Sequence, residues 1–170
     1  TNDHVGGGAV TFLTGNNNFV LSIPDWDNTA TGGVNAGAAT WGSAAAGVSG
    51  VVSASNSLVG GSTDDQMFNV LALANGNYAV ASPHWKNVAT NAAFAGAVAW
   101  GSGTAGATGL VSAANAVVGT HSFDFVGGLG EYTPVGGGGG FNYPITVFSL
   151  GSNSNYVISS NHWNGNLGAV

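Results

Sequence analysis

Residues 75–85 read Asn-Gly-Asn-Tyr-Ala-Val-Ala-Ser-Pro-His-Trp. Asn-Gly sets a tight turn, the next residues alternate bulky and small as a strand does, and Pro-X-Trp makes a corner. The same plan recurs at 16–26 as Asn-Asn-Asn-Phe-Val-Leu-Ser-Ile-Pro-Asp-Trp, and at 153–163 as Asn-Ser-Asn-Tyr-Val-Ile-Ser-Ser-Asn-His-Trp. A turn, a strand and a corner that return at long intervals mark a chain of tandem units.

Residues 16–65 laid over 75–124, a shift of 59, give 23 identities in 50 positions without a gap. Trp26 falls on Trp85, Trp41 on Trp100, Pro24 on Pro83, Asn56 on Asn115 and Asp65 on Asp124. The third copy lies 78 residues beyond the second, and the extra 19 residues fall between Asp124 and Asn153, where five glycines run from 136 to 140. An insertion of this kind is expected to loop out on one face. The units are therefore placed at 10–67 and 68–126, with a Gly-rich insertion at 127–144 and a partial third unit at 145–170. Residues 1–9 look like the tail of a preceding unit, because Asp3-His4-Val5 resembles Asp65-Gln66-Met67. Gly168-Ala169-Val170 resembles Gly96-Ala97-Val98 once a gap of six is allowed after Trp163. The chain is thus out of phase with its own repeat. The expectation is either a window from a longer array or a last unit completed by strands from elsewhere.

Within a unit, four or five short strands are expected and no helix. They fall at 10–13, 70–73 and 145–150 before the Asn turns, and at 19–23, 78–82 and 156–160 after them. Others follow at 38–41 and 97–100, at 51–54 and 110–113, and at 58–59 and 117–118. Ala44-Ala45-Ala46 favours helix, but Gly42 and Gly47 bracket it, and so short a helix is marginal in water. The fold class is all-β: tandem units of about 59 residues of short antiparallel strands, read as propeller-like blades. Asn-Gly turns join antiparallel strands, which favours blades. The Gly, Ala, Asn and Val bias keeps a β-helix or β-solenoid as the alternative.

Composition narrows the function. The chain of 170 residues is 44% hydrophobic but only 5% charged, with a single cation, Lys86, a net charge of -6 and no cysteine. Nucleic-acid binding needs clustered Lys and Arg, so it is excluded as an expectation, as is attachment to anionic lipid. The longest apolar run, 92–100, is far shorter than the ~20 residues of a membrane helix. No cationic start followed by an apolar run marks a signal peptide. Without cysteine there is no disulfide framework or thiolate chemistry.

The run Asn-Gly-Asn-Tyr … Ser-Pro-X-Trp, then Gly-Ala-Val-Ala-Trp-Gly, then Val-Ser-Ala-Ala-Asn-X-X-Val-Gly resembles a repeat of very large bacterial surface proteins described as filamentous-haemagglutinin-like. More loosely, the order of turn, strand, Pro corner and Gly-Ala strand resembles the FG-GAP blades of integrin-type propellers. Those blades carry Asp-rich calcium loops. The matching turns here, 16–18, 75–77 and 153–155, hold Asn, Gly and Ser instead of carboxylates, so no cofactor or metal is expected. What the resemblance implies, with the low charge, is a structural, self-associating module of an extracellular, secreted or cell-surface bacterial fibre, sheath or adhesin. Its partners would be further copies, met through strand edges in a homo-oligomer or filament.

Side chains that carry chemistry are few. His84 and His162 share a corner position with Asp25, which suits a polar solvent corner better than a metal site needing converging ligands. No Gly-X-Ser-X-Gly elbow occurs, and Asp65 recurs as Asp3 and Asp124 in the manner of a turn former. No enzyme is expected. Trp26, Trp85 and Trp163 are candidates either for packing against the next unit or for stacking on sugar rings, with Asn28 and Asn87 supplying amide hydrogen bonds. A lectin-like carbohydrate-binding module, with glycans as partners, is therefore the alternative function.

Overall fold

A computed structural model describes residues 3–66, 69–128, 133–134, 141–142, 146–151 and 155–170. The first unit is a meander of β1 (Val10–Phe12), β2 (Phe19–Ile23), β3 (Ala38–Gly42) and β4 (Ser57–Val59), each antiparallel to the one before. The second repeats it with β5 (Asn69–Ala72), β6 (Tyr78–Ser82), β7 (Ala97–Gly101) and β9 (Ala116–Val118). Between β7 and β9 lies β8 (Gly109–Leu110), which pairs with β4 of the first unit instead. Within the Gly-rich insertion, β10 (Thr133–Pro134) and β11 (Phe141–Asn142) form a two-residue ladder, and most of that insertion lies outside the described residues. The third unit contributes the hairpin β12 (Val147–Leu150) and β13 (Asn155–Ile158), followed by α1 (Trp163–Asn166). Asn164 and Gly165 within α1 have left-handed backbone, so this element is a coiled turn rather than a true helix. The result is an all-β stack of small antiparallel sheets, as the repeat and the turn signals lead one to expect.

Registers follow local chemistry. In the first hairpin the Asn16 side-chain carbonyl accepts from the Asn18 N–H at 3.0 Å, and Asn75 accepts from Asn77 at 3.1 Å, so each Asn closes its own turn. Asn56 and Asn115 close the later turn in the same way, donating to the carbonyls of Val51 and Leu110. Gly42 pairs with Phe19, and Gly101 with Tyr78, so that each ring lies over a residue without a side chain. A Cβ on Gly101 would enter the Tyr78 ring.

The third unit keeps this plan. Gly37, Gly96 and Gly168 have φ of 76°, 78° and 76°, and each donates its N–H to the carbonyl of its unit's corner Trp. That left-handed backbone is open to glycine at little cost, which is why the residue recurs. Ser160 then bridges Ala169 as Ser82 pairs with Ala97, so the six-residue gap after Trp163 is a shortened corner loop. Among the described residues the third unit has no counterparts of β4 and β9.

Among the described residues two cores lie between units, and a third, of Ile23, Trp26, Ala38 and Val59, lies within the first. One joins Leu13, Val20, Ala39 and Leu58 of the first unit to Tyr78, Val80, Trp85 and Val111 of the second. Another joins Ala79, Ala81 and Val98 of the second unit to Val126 and Val147, with Tyr156 and Ile158 packed on it. The alternation in β6 explains this: bulky Tyr78 and Val80 face one neighbour, and small Ala79 and Ala81 face the other. Each buried Val, Leu or Ile contributes about 1.5–3 kcal/mol of transfer free energy, so a unit draws much of its stability from its neighbours.

One expectation differs. The expected strand over 51–54 does not form: Val51 and Val52 pair with no strand among the described residues, and Val51 is 86% exposed. The equivalent of Val51 is Leu110, which becomes strand only by lying parallel to β4 of the unit before it. Val51 has no such neighbour among the described residues.

Candidate functional site

The chemistry of this chain is concentrated at the joint between units. It has four components between the first and second units. The first is an acidic clasp. The Asp65 carboxylate accepts from its own turn, at Gly61 N–H (2.9 Å) and Ser62 N–H (2.7 Å). Its other oxygen accepts from the Lys86 N–H at 2.8 Å, directly after the corner Trp of the next unit. The Ser82 hydroxyl donates to the Asp65 carbonyl. Burial raises the Asp65 pKa above the ordinary carboxylate value, while the three backbone donors and the Lys86 charge pull it back down.

The second component is a knot around one carbonyl. Gly103 O, in the turn after β7, accepts from Asn16 Nδ2 (3.2 Å), Asn18 Nδ2 (2.8 Å) and Trp41 Nε1 (3.1 Å) of the first unit. Gly106, three residues on, lies against the Trp41 ring. The third is the parallel pairing of β8 with β4, in register Leu58 to Gly109 and Val59 to Leu110. It is extended by the Val111 N–H donating to Val59 O at 3.0 Å. The fourth is the apolar core already described, in which Tyr78 is buried. Burial pushes the Tyr78 phenol up to about 12, and its oxygen accepts from the Ala107 N–H at 2.9 Å.

Among the described residues, the joint between the second and third units shows two of these components. The Asp124 carboxylate accepts from Thr120 and His121 in its own turn, and from the Asn164 N–H at 2.8 Å across the joint. Ser160 Oγ donates to Asp124 O at 2.8 Å, and the apolar core is present. Asp3 makes the same contact at the other end, accepting from the Asp27 N–H at 3.3 Å. So the recurring Asp is more than a turn former: in each unit it reaches the backbone directly after the next Trp.

Comparison with known protein families finds the repeat itself. The family model described as a repeat of unknown function (DUF5650) matches residues 13–69, 72–128 and 150–170. The chain belongs to this repeat family. The first two matches are themselves offset by 59 residues, the spacing of Trp26 and Trp85. No curated protein and no solved structure matches the chain.

Within a DUF5650 unit the sequence candidates divide by burial. Trp26 and Trp85 are buried, Trp26 among Ile23, Ala38 and Val59, and Trp85 in the core between units. Asn28 and Asn87 are buried too, and their Nδ2 atoms donate to Gly60 O and Gly119 O at 2.8 Å, tying the corner loop to the end of the fourth strand. These four residues pack and lock their unit. Trp163 is different: it is 36% exposed, beside an apolar depression of about 760 Å³ lined by Val117, Tyr156, Ile158 and Val170. His84 meets Gln66 at 3.0 Å, and burial lowers its pKa against the opposing pull of Asp64. Among the described residues no three His, Asp or Glu side chains converge as metal ligands would.

The clasp and the knot escaped sequence reasoning, although their residues stood in the repeat. The signal for the clasp was the recurrence of an Asp, at 3, 65 and 124, ahead of each corner Trp, although the separations differ. The knot carried no signal, because its acceptor is a backbone carbonyl.

Proposed function

We propose that this DUF5650 chain is a structural, self-associating repeat module of an extracellular bacterial fibre, sheath or adhesin, and that copies join by β-strand pairing. The observation that carries the reading is that two of the apolar cores among the described residues lie between neighbouring units. A unit with an uncovered sheet leaves apolar surface and strand edges in water, and such edges recruit other chains. Low charge supports it, since little long-range repulsion opposes close approach. The extracellular and bacterial setting rests on the Asn-, Gly- and Ser-rich composition and on the resemblance to surface-protein repeats. Sedimentation velocity across a wide concentration range, with electron microscopy, tests the reading. Concentration-dependent oligomers or filaments are expected, and a protein that stays monomeric throughout overturns it.

The second reading, a lectin-like module, keeps one specific support: the exposed indole of Trp163 beside an apolar depression. Saturable quenching of Trp fluorescence by one sugar, lost in Trp163→Ala, would favour it. An unchanged spectrum across a sugar panel removes it.

A further inference from the structure

Between the first two units lies a cavity of about 680 Å³. One wall is Thr31 with the turn of Gly61 and Ser62, the other is the corner loop 86–90 of the second unit, and residues 110–113 complete the lining. Trp85 and Val111 reach it from the buried core. The buried polar groups at its edge are satisfied within the protein. The Asp65 carboxylate accepts from three backbone N–H groups. Asn87 donates to Gly119 O, and its Oδ1 accepts from the Ala89 and Thr90 N–H groups at 3.1 and 3.4 Å. Val88 and Leu110, which also line the cavity, leave 70% and 44% of their surface in water. One charge is left over. Lys86 is the sole Lys or Arg of the chain, and it serves the clasp through its backbone N–H. Its ammonium forms no ion pair or hydrogen bond among the described residues. Asp65 attracts it without pairing, because both carboxylate oxygens already accept from backbone.

The first unit shows the same corner loop with a different chemistry. Asp27 and Thr29 stand where the second unit has Lys86 and Val88. Asp27 is used inside its own unit, its Oδ1 accepting from the Asn35 N–H at 2.9 Å. The second unit reverses that charge, gives up the bond it made and gains an apolar side chain, all on one wall of the cavity. We propose that the cavity binds a small amphiphilic monoanion, an aliphatic or aromatic carboxylate, with its apolar body between the two units and its charge at Lys86. Charge complementarity selects this occupant. An anion entering an apolar space needs a fixed opposite charge, and the rest of a chain of net charge -6 repels it, so Lys86 decides its binding. A neutral compound leaves the ammonium unpaired, and a cationic one meets a like charge. The volume lies within the ~300–1,000 Å³ usual for small-molecule sites, which are apolar with a few polar anchors and favour the seam between packed bodies. Both walls touch the ligand, so binding fastens the first unit to the second as the Asp65 clasp does. The site is complete within one polypeptide and stands apart from self-association.

The test is isothermal titration calorimetry of the full chain with octanoate and naphthoate, a chain and a ring of the same charge, against octanol and octyltrimethylammonium. Saturable binding of at least one carboxylate is expected, and the one that binds tells whether the cavity takes a chain or a ring. Lys86→Met keeps the backbone donor and an apolar stem, so the clasp survives. It should weaken the carboxylate about tenfold and leave octanol unchanged. Ala89→Phe fills the cavity from an exposed position that is bonded only through its backbone, and should weaken the carboxylate by roughly tenfold or more. Saturating carboxylate should also raise Tm in the wild type and not in Ala89→Phe, because the ligand binds the folded joint alone. Carboxylates that do not bind, that bind no better than octanol, or that ignore either substitution overturn the proposal.

Discussion

Truncating Asp65 to Ala measures how much the acidic clasp holds two units together. Three backbone donors lose their acceptor at once: Gly61 and Ser62 in the turn, and Lys86 across the joint, at 2.7–2.9 Å. A hydrogen bond to an ionised acceptor contributes about 1.5–3 kcal/mol, and an orphaned buried donor costs about 1–3 kcal/mol. Two effects offset the sum: the cost of burying the carboxylate disappears, and water can reach part of the vacated space. The net expectation is a loss of about 2–4 kcal/mol, which for a chain of this length lowers Tm by roughly 4–16 °C. Thermal and urea unfolding followed by Trp fluorescence read it. Asp64→Asn is the control: Asp64 is exposed, meets Asn35 Nδ2 at 3.1 Å, and has φ of 61°, which Asn tolerates. It should change stability by less than ~0.5 kcal/mol. Asp65→Asn should fall between, because one amide N–H now faces a donor. The pH dependence gives a second reading. Burial raises the Asp65 pKa, so the folded state holds this proton more tightly than the unfolded chain does. The associated stability is complete below the ordinary value of 3.8 and is lost as pH rises through the raised value. The stability of the wild type relative to Asp65→Asn should therefore decline across that acidic window and be flat above it. An Asp65→Ala protein within ~1 kcal/mol of the wild type at neutral pH would refute the clasp.

Four further substitutions probe the other parts of the unit. Asn87→Ala removes the donor to Gly119 O and leaves that buried carbonyl unpaired, so a loss of about 1–3 kcal/mol in urea unfolding is expected. Gly101→Val drives a side chain into the Tyr78 ring and should cost at least ~2 kcal/mol, whereas Gly109→Ala, with open space around it, should cost only its left-handed backbone, about 1–2 kcal/mol. Tyr78→Phe takes the acceptor from Ala107 N–H, worth about 1 kcal/mol. Since burial raises the Tyr78 pKa from 10.0 to about 12, its stabilisation is full below pH 10 and is lost as pH rises towards 12. Unfolding at pH 9 and pH 11.5 should show a steeper fall for the wild type than for Tyr78→Phe.

Much of this fold was legible because its information is local. The Asn turns at 16–18 and 75–77, the glycine opposite each aromatic ring and the two-residue alternation in 78–82 all act within a few residues or across one hairpin. Together with the spacing of 59 they determine an all-β chain of tandem antiparallel units, and even place Gly168 and Ala169 in the third copy. The site was less legible. Asp65 and Asp124 could be seen to recur, but the donors they reach, Lys86 N–H and Asn164 N–H, are 21 and 40 residues away in the next unit. Leu110 reads like Val51, yet only Leu110 has a β4 beside it to make it a strand. Trp41 and Trp100 are the same residue in the same setting until the Gly103 turn covers one of them. Local propensity acts on a residue and its near neighbours, so it specifies the unit. How sheets stack decides which backbone groups of one unit meet the side chains of the next, and that is settled only when the cores between them close.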